Sequence, residues 1–332
     1  MGGNGSVSLI EGNRLQLHYW FDNTSHSMDA ILQNKCEYDF LGVIQEIASQ
    51  FDVKVIIETE PLEDGGLIRW FKLLFDDKSK KDAVKVAIIT ALATTIFVTP
   101  ITTSITKATE AIIEQIFADP EIKKLNKEKL KLEIENLQKD IQLKNQQLGN
   151  NNKIRKKKSN FYENLEKYPK VKKVTFTVAN EFKEIVHEDK TVVKKDFKKF
   201  ILVSDELEPL NNENAIIEII SPVLKKGPHK WSGIYNGESI SFKLKSVEFN
   251  TLVQSGGIEF KNGSAINCHL VIKKKVDNEG LEKVTGYEVL RVNNYFENDK
   301  PIETKEGRNY RKNKEAEKSQ LDLFANLYDT NE

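Results

Sequence analysis

Cations and aromatic side chains lie close together in the segment KKGPHKWSGIY (225–235). Ammonium groups neutralise phosphates and aromatic rings stack on bases, so this combination suits a nucleotide or a single-stranded nucleic acid. A second basic cluster, IKKK (272–275), follows in the same predicted domain. The alternative is that the tryptophan anchors a hydrophobic core with its indole N–H satisfied. The ligand-binding candidates are Lys225, Lys226, His229, Lys230, Trp231 and Tyr235.

A hydroxyl pattern marks the run 86–106, which carries no charge between Lys85 and Lys107. Its threonines follow one another at spacings of four, three and four residues. In a continuous helix they form one hydroxyl stripe, which in an oligomer faces neighbouring helices or lines a wet pore. The pore-lining candidates are Thr95, Thr99, Thr102 and Thr106.

Catalytic and metal-binding patterns are missing from the sequence. There is no P-loop, no G-x-G-x-x-G after a strand and no G-x-S-x-G. The five histidines are scattered, without the spacing of a zinc site. Cys268 and His269 are adjacent, but neighbouring strand residues point to opposite faces and make a poor nucleophile and base. We therefore predict that the chain is not an enzyme and has no catalytic residue, cofactor or metal.

The run 86–106 is long enough for a membrane-spanning helix, which needs about 20 apolar residues. Four lysines between positions 78 and 85 precede it and place that flank in the cytoplasm. This predicts an inner-membrane protein with its soluble parts in the cytoplasm. Thr99 followed by Pro100 is also a helix-start signal, so the alternative is two helices, roughly 83–98 and 100–118, packed as a buried hairpin.

The segment after this run has a heptad pattern with Leu130, Ile134, Leu137, Ile141 and Leu148 on its seam. The pattern predicts a coiled coil, either between chains, where it assembles subunits into a homo-oligomer, or as an intramolecular hairpin. The alternative is an amphipathic helix that packs on its own domain. The basic stretch 151–167 then predicts a solvated linker, or a contact with anionic lipid or nucleic acid.

These patterns together predict an α+β fold class with six segments. The first, 1–82, is a small acidic α/β domain, and 83–118 is an apolar Thr-rich transmembrane or hairpin segment. A coiled-coil helix (119–150) and the basic linker (151–167) lead to a C-terminal, mainly antiparallel β domain at 168–296. Period-two alternation and recurring Asn-Gly turns predict that domain. A charged tail occupies 297–332.

Charge and cysteine content exclude some classes of protein. The chain has 332 residues with 50 basic and 50 acidic side chains, so it is not a general polyanion binder. Residues 1–82 carry 14 acidic and 8 basic side chains, whereas 151–200 carry 15 basic and 7 acidic ones, so the charge is unevenly distributed. Two cysteines are too few for a disulfide scaffold.

The stretch IIEIISPVLKKGPHKWSGIYNGESISFKLKSVEFN (216–250) resembles a β-rich domain of bacterial defence-associated proteins. The segment order resembles the membrane effector of nucleotide-controlled anti-phage systems of the Hailong type. That resemblance implies an oligomeric channel or pore, gated by a nucleotide or oligonucleotide that a partner nucleotidyltransferase makes. Membrane lipid is then a further partner. The alternative is a soluble scaffold or adaptor with a buried helical hairpin, whose β domain binds protein or nucleic acid.

Overall fold

The computed structural model describes residues 8–22, 27–61, 67–75, 80–120, 122–123, 131–224, 227, 229–297 and 300–328. The chain forms two compact units. The first comprises Met1–Ser204 and the short stretch Val276–Leu281, and the second comprises Asp205–Lys275 and Glu282–Glu332.

An antiparallel five-stranded sheet organises the first unit, with strand order β2-β3-β1-β4-β5. Leu15, Leu17 and Tyr19 on β1 are fully buried and alternate with the residues of the opposite face. The strands are β1 (Arg14–Phe21), β2 (Val55–Thr59), β3 (Leu67–Phe75), β4 (Val171–Ala179) and β5 (Ile185–Val193).

Helices pack on one face of this sheet, and side-chain caps fix where several of them begin. Asp29 accepts a hydrogen bond from the Leu32 amide at the start of α1, and Asn151 does the same for the Ile154 amide in α5. The helices are α1 (Ala30–Gln50), α2 (Lys80–Val98), α3 (Ile105–Phe117), α4 (Lys131–Gly149) and α5 (Asn152–Lys167), with 3-10 helices at Leu9–Glu11 and Lys194–Phe200.

The apolar run 86–106 does not form one helix. α2 ends at Val98, a turn follows, and α3 begins at Ile105 with Ser104 as its N-cap. α2 contacts α1, α3 and the sheet, which explains why it is apolar all round. Across the residues the structure describes, no helix has both the length and the apolarity that a bilayer crossing requires. The predictions of a membrane helix, an ion channel and an inner-membrane location are therefore wrong.

Two further predicted segments belong to the first unit's core. On α4, the seam residues Leu137, Ile141 and Leu148 are at most 4% exposed and pack into the core of their own unit, so the prediction of a coiled coil between chains is wrong. The predicted seam residue Leu130 lies outside the described residues. The predicted basic linker is helix α5. It buries three consecutive lysines, 156 to 158, and packs on α1.

A closed barrel forms the second unit. Its strands follow the order β10-β8-β7-β6-β9, and an additional β10–β9 pairing closes the ring. β8 and β10 are parallel, whereas β6 pairs antiparallel with both β7 and β9. The elements are β6 (Glu206–Ser221), β7 (Trp231–Tyr235), β8 (Glu238–Leu244), α6 (Val247–Gln254), β9 (Ala265–Val276), β10 (Glu282–Glu297), β11 (Lys300–Glu303) and α7 (Lys305–Tyr328).

The barrel has three sequential strands, a helix and two more strands, with its third and fifth strands parallel. This is the connectivity of the OB barrel, a five-stranded Greek-key fold. Aromatic residues fill the interior: Phe249 of α6 and Phe242 of β8 lie with ring centroids 6.3 and 6.1 Å from Trp231.

The predicted layout of six separate, successive segments is therefore wrong. β4 and β5 come late in the sequence, after helices α1 to α5, yet they complete the sheet that β1 begins. The first unit therefore spans the predicted α/β, apolar, coiled-coil and linker segments together with the start of the predicted β domain. Residues 297–332, predicted as a charged tail, include β11 and α7.

Candidate functional site

The two aromatic residues predicted to contact a ligand lie at the start and end of β7. Trp231 is 2% exposed, and its ring packs edge-on against Phe260 with centroids 5.5 Å apart. It is a core residue, as the alternative interpretation of the sequence had it. Tyr235 is half-buried, and its hydroxyl accepts a hydrogen bond of 3.1 Å from the Asn212 side chain. The Trp231 ring is therefore closed to a ligand, and the Tyr235 ring is partly covered.

The predicted cations belong to the loop between β6 and β7. Lys225 and Lys226 lie outside the described residues. His229 and Lys230 are exposed at the end of the loop, directly before β7. Of the four predicted basic residues, the structure therefore describes only His229 and Lys230.

The pairing of neighbouring strands places further lysines beside Lys230. Trp231 pairs with Phe242, so the next residues outward along β7 and β8, Lys230 and Lys243, lie opposite each other. Lys243 is in turn the partner of Glu288 on β10. The Glu288 carboxylate lies 3.0 Å from the Lys273 Nζ on β9. Four adjacent strands thus contribute to one row across the barrel.

The alternation of each strand turns these side chains outward. Phe242 is fully buried, so its neighbour Lys243 points out, and Lys245 follows on the same face and is also exposed. Ile272 packs against the core, which turns Lys273 out. We call Lys230, Lys243, Lys245 and Lys273, together with Glu288, the lysine row.

The lysine row carries more positive than negative charge. Its carboxylate has a pKa below the usual range, chiefly because Lys273 donates a hydrogen bond to it, and Lys245 and Lys243 add to the effect. Within the described part of the chain, neither Lys243 nor Lys245 has an ion-pair partner. One carboxylate therefore faces three ammonium groups, and the row can accept further negative charge.

The surface beside the lysine row combines hydroxyls with exposed aliphatic side chains. On the outward face of the β7–β8 ladder, the next pair is Ser232 with Ser241, and the outward pair after it is Ile234 with Ser239. On the neighbouring strand β6, Ile220 is 56% exposed. A polyanion lying along the lysines can thus place less polar groups on the serine and isoleucine surface.

The other candidate sets do not assemble into a site. Cys268 is fully buried, and burial raises the pKa of its thiol to about 12. His269 instead contacts Asn211, with its Nε2 at 3.2 Å from the amide oxygen. In the described parts of both units, no three His, Cys, Asp or Glu side chains gather as a metal site requires.

The predicted pore-lining threonines have different surroundings from one another. Thr95 and Thr99 are buried, Thr106 is half-buried and only Thr102 is exposed. The Thr95 hydroxyl donates to the Ala91 carbonyl at 2.8 Å, while the Thr99 hydroxyl donates to the Thr95 carbonyl at 2.7 Å. These hydroxyls are satisfied inside the first unit and do not form a stripe.

Buried donors satisfy the end of α2 in the same region. Lys190 donates from β5 to the Thr95 hydroxyl at 2.8 Å. From α5, Tyr162 donates to the Phe97 carbonyl at 2.6 Å and Lys158 donates to the Thr99 carbonyl. Because the last carbonyls of a helix have no partners within it, these contacts close the C-terminus of α2.

The sequence contained only part of the signal for the lysine row. The strand SISFKLK shows alternation, which turns Lys243 and Lys245 to one face, but the pairing of that strand with β10 is not encoded locally.

No family model matches the chain, and no significant similarity to a curated protein or to a solved structure was found.

Proposed function

We propose that the second unit binds single-stranded nucleic acid along the lysine row, so that the chain acts as a nucleic-acid-binding adaptor. The observation that supports this most directly is the excess of ammonium groups across four adjacent strands of an OB-type barrel. OB barrels bind oligonucleotides on the face of their second and third strands, with the loop between the first and second strands at its side. Those elements are β7, β8 and the β6–β7 loop.

The width of the lysine row suits a nucleic-acid backbone. Adjacent strands lie about 4.8 Å apart, so a row across four strands spans about 14 Å. This is wide enough for more than one phosphate. A folded protein surface with scattered carboxylates would match such a continuous row less well, which is why we favour nucleic acid over protein as the partner.

A single strand suits the neighbouring surface better than a duplex. The serine hydroxyls donate to and accept from base edges, and the exposed isoleucines offer apolar contact, whereas a duplex hides its bases. Because Trp231 is buried and Tyr235 is half-buried, the stacking of bases on aromatic rings contributes little to the affinity. Phosphate contacts therefore supply most of the affinity, and the binding is strongly dependent on salt.

The test uses the full chain and fluorescence anisotropy with labelled 20-nucleotide single-stranded DNA and RNA, across a range of salt concentrations. We expect binding at low salt and weaker competition by duplex. The double variant Lys243→Ala/Lys245→Ala removes two phosphate contacts, so the slope of log affinity against log salt should fall by about 1.4. The control is Lys300→Ala/Lys312→Ala, which changes two exposed lysines of the same unit away from the row.

Two results would overturn the proposal. One is the absence of single-strand binding by the folded wild-type chain at low salt, which would favour a protein partner instead. The other is an equal loss of slope in the test and control variants. The resemblance to Hailong effectors, a nucleotidyltransferase partner and the lack of enzymatic activity stay predictions that this experiment does not address.

A further inference from the structure

A cavity of about 600 Å³ lies in the first unit between α1 and α5, with the turn Val276–Leu281 of the same unit at its edge. This volume falls within the range of small-molecule sites. The cavity is separate from the lysine row, and the proposed nucleic-acid binding does not involve it. Carboxamides are its commonest lining groups, from Asn34, Asn160, Asn164 and Asn278.

A buried carboxyl group lines this cavity. Asp39 on α1 is only 5% exposed and has a side-chain hydrogen bond with Asn160 of α5. Burial raises its pKa to about 7, although Lys157 opposes the shift. The cations already present therefore do not offset the cost of burying this charge. A further positive charge in the cavity would do so.

The walls suit the rest of an alkylammonium ion. Tyr38 is 58% exposed, and the Lys157 ammonium lies 4.2 Å from the centroid of its ring. The tyrosine therefore already takes part in one cation–π contact, and its exposed ring is a suitable wall for a second cation. Ile31, which is 68% exposed, gives an apolar surface for an alkyl chain.

We infer that this cavity binds an alkylammonium cation, with its ammonium group at the Asp39 carboxylate and its alkyl chain between Tyr38 and Ile31. Carboxamide oxygens accept the remaining N–H bonds of the ammonium group. The carboxylates of Glu163 and Glu279 also line the cavity, where they are paired with Lys167 and Lys157.

Two of the lysines near Asp39 are already paired with other carboxylates. Lys167 is already paired with Glu163 at 2.6 Å, and Lys157 with Glu279 at 3.2 Å. Their charges are therefore largely offset by these carboxylates. The charged groups that face Asp39 or line its cavity are Lys35 from α1, Lys156, Lys157, Glu163 and Lys167 from α5, and Glu279 from the turn.

The test measures binding of cadaverine to the full chain by calorimetry, with 1,5-pentanediol as an uncharged ligand of the same length. We expect cadaverine to bind and the diol not to bind. Asp39→Asn should weaken cadaverine at least tenfold. The control Asp22→Asn removes a carboxylate that is 62% exposed and paired with Lys172, and it should change nothing.

The pH dependence gives a second readout. Because the carboxyl of Asp39 must lose its proton to bind a cation, wild-type affinity should fall up to tenfold per pH unit below about 7. Asp39→Asn should remove most of that dependence. Tyr38→Leu, at an exposed position, removes the ring together with the hydroxyl that donates to Glu279, and it should weaken binding about two- to fivefold.

Any of three results would overturn the inference: no cadaverine binding by the folded wild-type chain at millimolar concentration, equal binding of the diol, or unchanged binding by both Asp39→Asn and Tyr38→Leu. If Asp39→Asn does not fold, as judged by circular dichroism, the Tyr38→Leu variant and the wild-type pH profile decide the matter. These results are independent of the nucleic-acid test, since the lysine row is intact in every variant.

Discussion

Lys158 allows a quantitative test of how the first unit is held together. Its side chain is fully buried, donates to the Thr99 carbonyl at the end of α2, and lies 5.6 Å from the centroid of the Phe200 ring. Burial, with a smaller contribution from the nearby charge of Arg155, lowers the pKa of Lys158 from 10.5 to about 7. The folded state thus favours the neutral amine above about pH 7.

The sign of the effect on stability follows from proton binding. Between about pH 7 and pH 10.5 the unfolded chain holds a proton on Lys158 that the folded chain largely lacks. Stability due to this group therefore rises with pH across that window. With 1.36 kcal/mol for each pKa unit, the rise from pH 7 to pH 9 is about 2 kcal/mol.

The perturbation is Lys158→Met, which keeps the length of the side chain and removes its titration. At any single pH the substitution combines two opposing effects, relief of a buried amine and loss of a donor to the Thr99 carbonyl. The prediction therefore concerns the change with pH. The free energy of unfolding of the wild type, relative to Lys158→Met, should increase by about 2 kcal/mol from pH 7 to pH 9.

The assay is urea unfolding followed by tryptophan fluorescence. A Trp231→Phe background in every protein leaves Trp20 and Trp70 as reporters, both in the first unit. Lys195→Met, at an exposed position of the same unit, is the control and should show no such change with pH. A difference between wild type and Lys158→Met that is equal at pH 7 and pH 9 would refute the reasoning.

Two substitutions, one in each unit, test the packing inside that unit. Thr95→Val leaves Lys190 of β5 without its acceptor and should lower the free energy of unfolding by about 1–3 kcal/mol in urea titrations. Thr102→Val, at an exposed site, is the control and should change it by less than about 0.5 kcal/mol. Equal effects would contradict the buried hairpin. Gly233→Ala places a Cβ 2.5 Å from a β6 carbonyl oxygen and should destabilise the barrel by about 1–3 kcal/mol, read from Trp231 fluorescence. Gly286→Ala, where nothing lies within 4 Å of the added Cβ, is its control and should be nearly neutral, so a similar loss there would count against the close β6–β7 approach.

Local patterns in the sequence predict several elements of this fold. The period-two alternation of Leu15, Leu17 and Tyr19 is typical of a half-buried strand and coincides with β1. Length and apolarity alone could not show whether the run 86–106 enters a bilayer or a protein core. Both environments favour apolar side chains, and only the tertiary contacts of α2 with its neighbours distinguish them.

The candidate site was less predictable, because it depends on pairing between distant strands. Lys243 and Glu288 are neighbours through the parallel pairing of β8 with β10. Lys273 joins them from β9 through its 3.0 Å ion pair with that glutamate. A one-residue shift in either register would move these side chains to the other face of the barrel. The sequence predicted a basic loop, and the strand pairing adds lysines that the loop alone did not indicate.

The basic stretch 151–167 shows how composition can hide a helical pattern. Ile154, Lys158, Phe161, Tyr162 and Leu165 follow one another at spacings of four, three, one and three, and all are fully buried. This is the spacing of one helix face, so the lysine occupies a core position among apolar residues. A lysine there needs an acceptor, and the Thr99 carbonyl beyond the end of α2 is the acceptor that it has. The threonine-rich run and the basic stretch are therefore two halves of one buried contact, and each explains a feature of the other that neither explains alone.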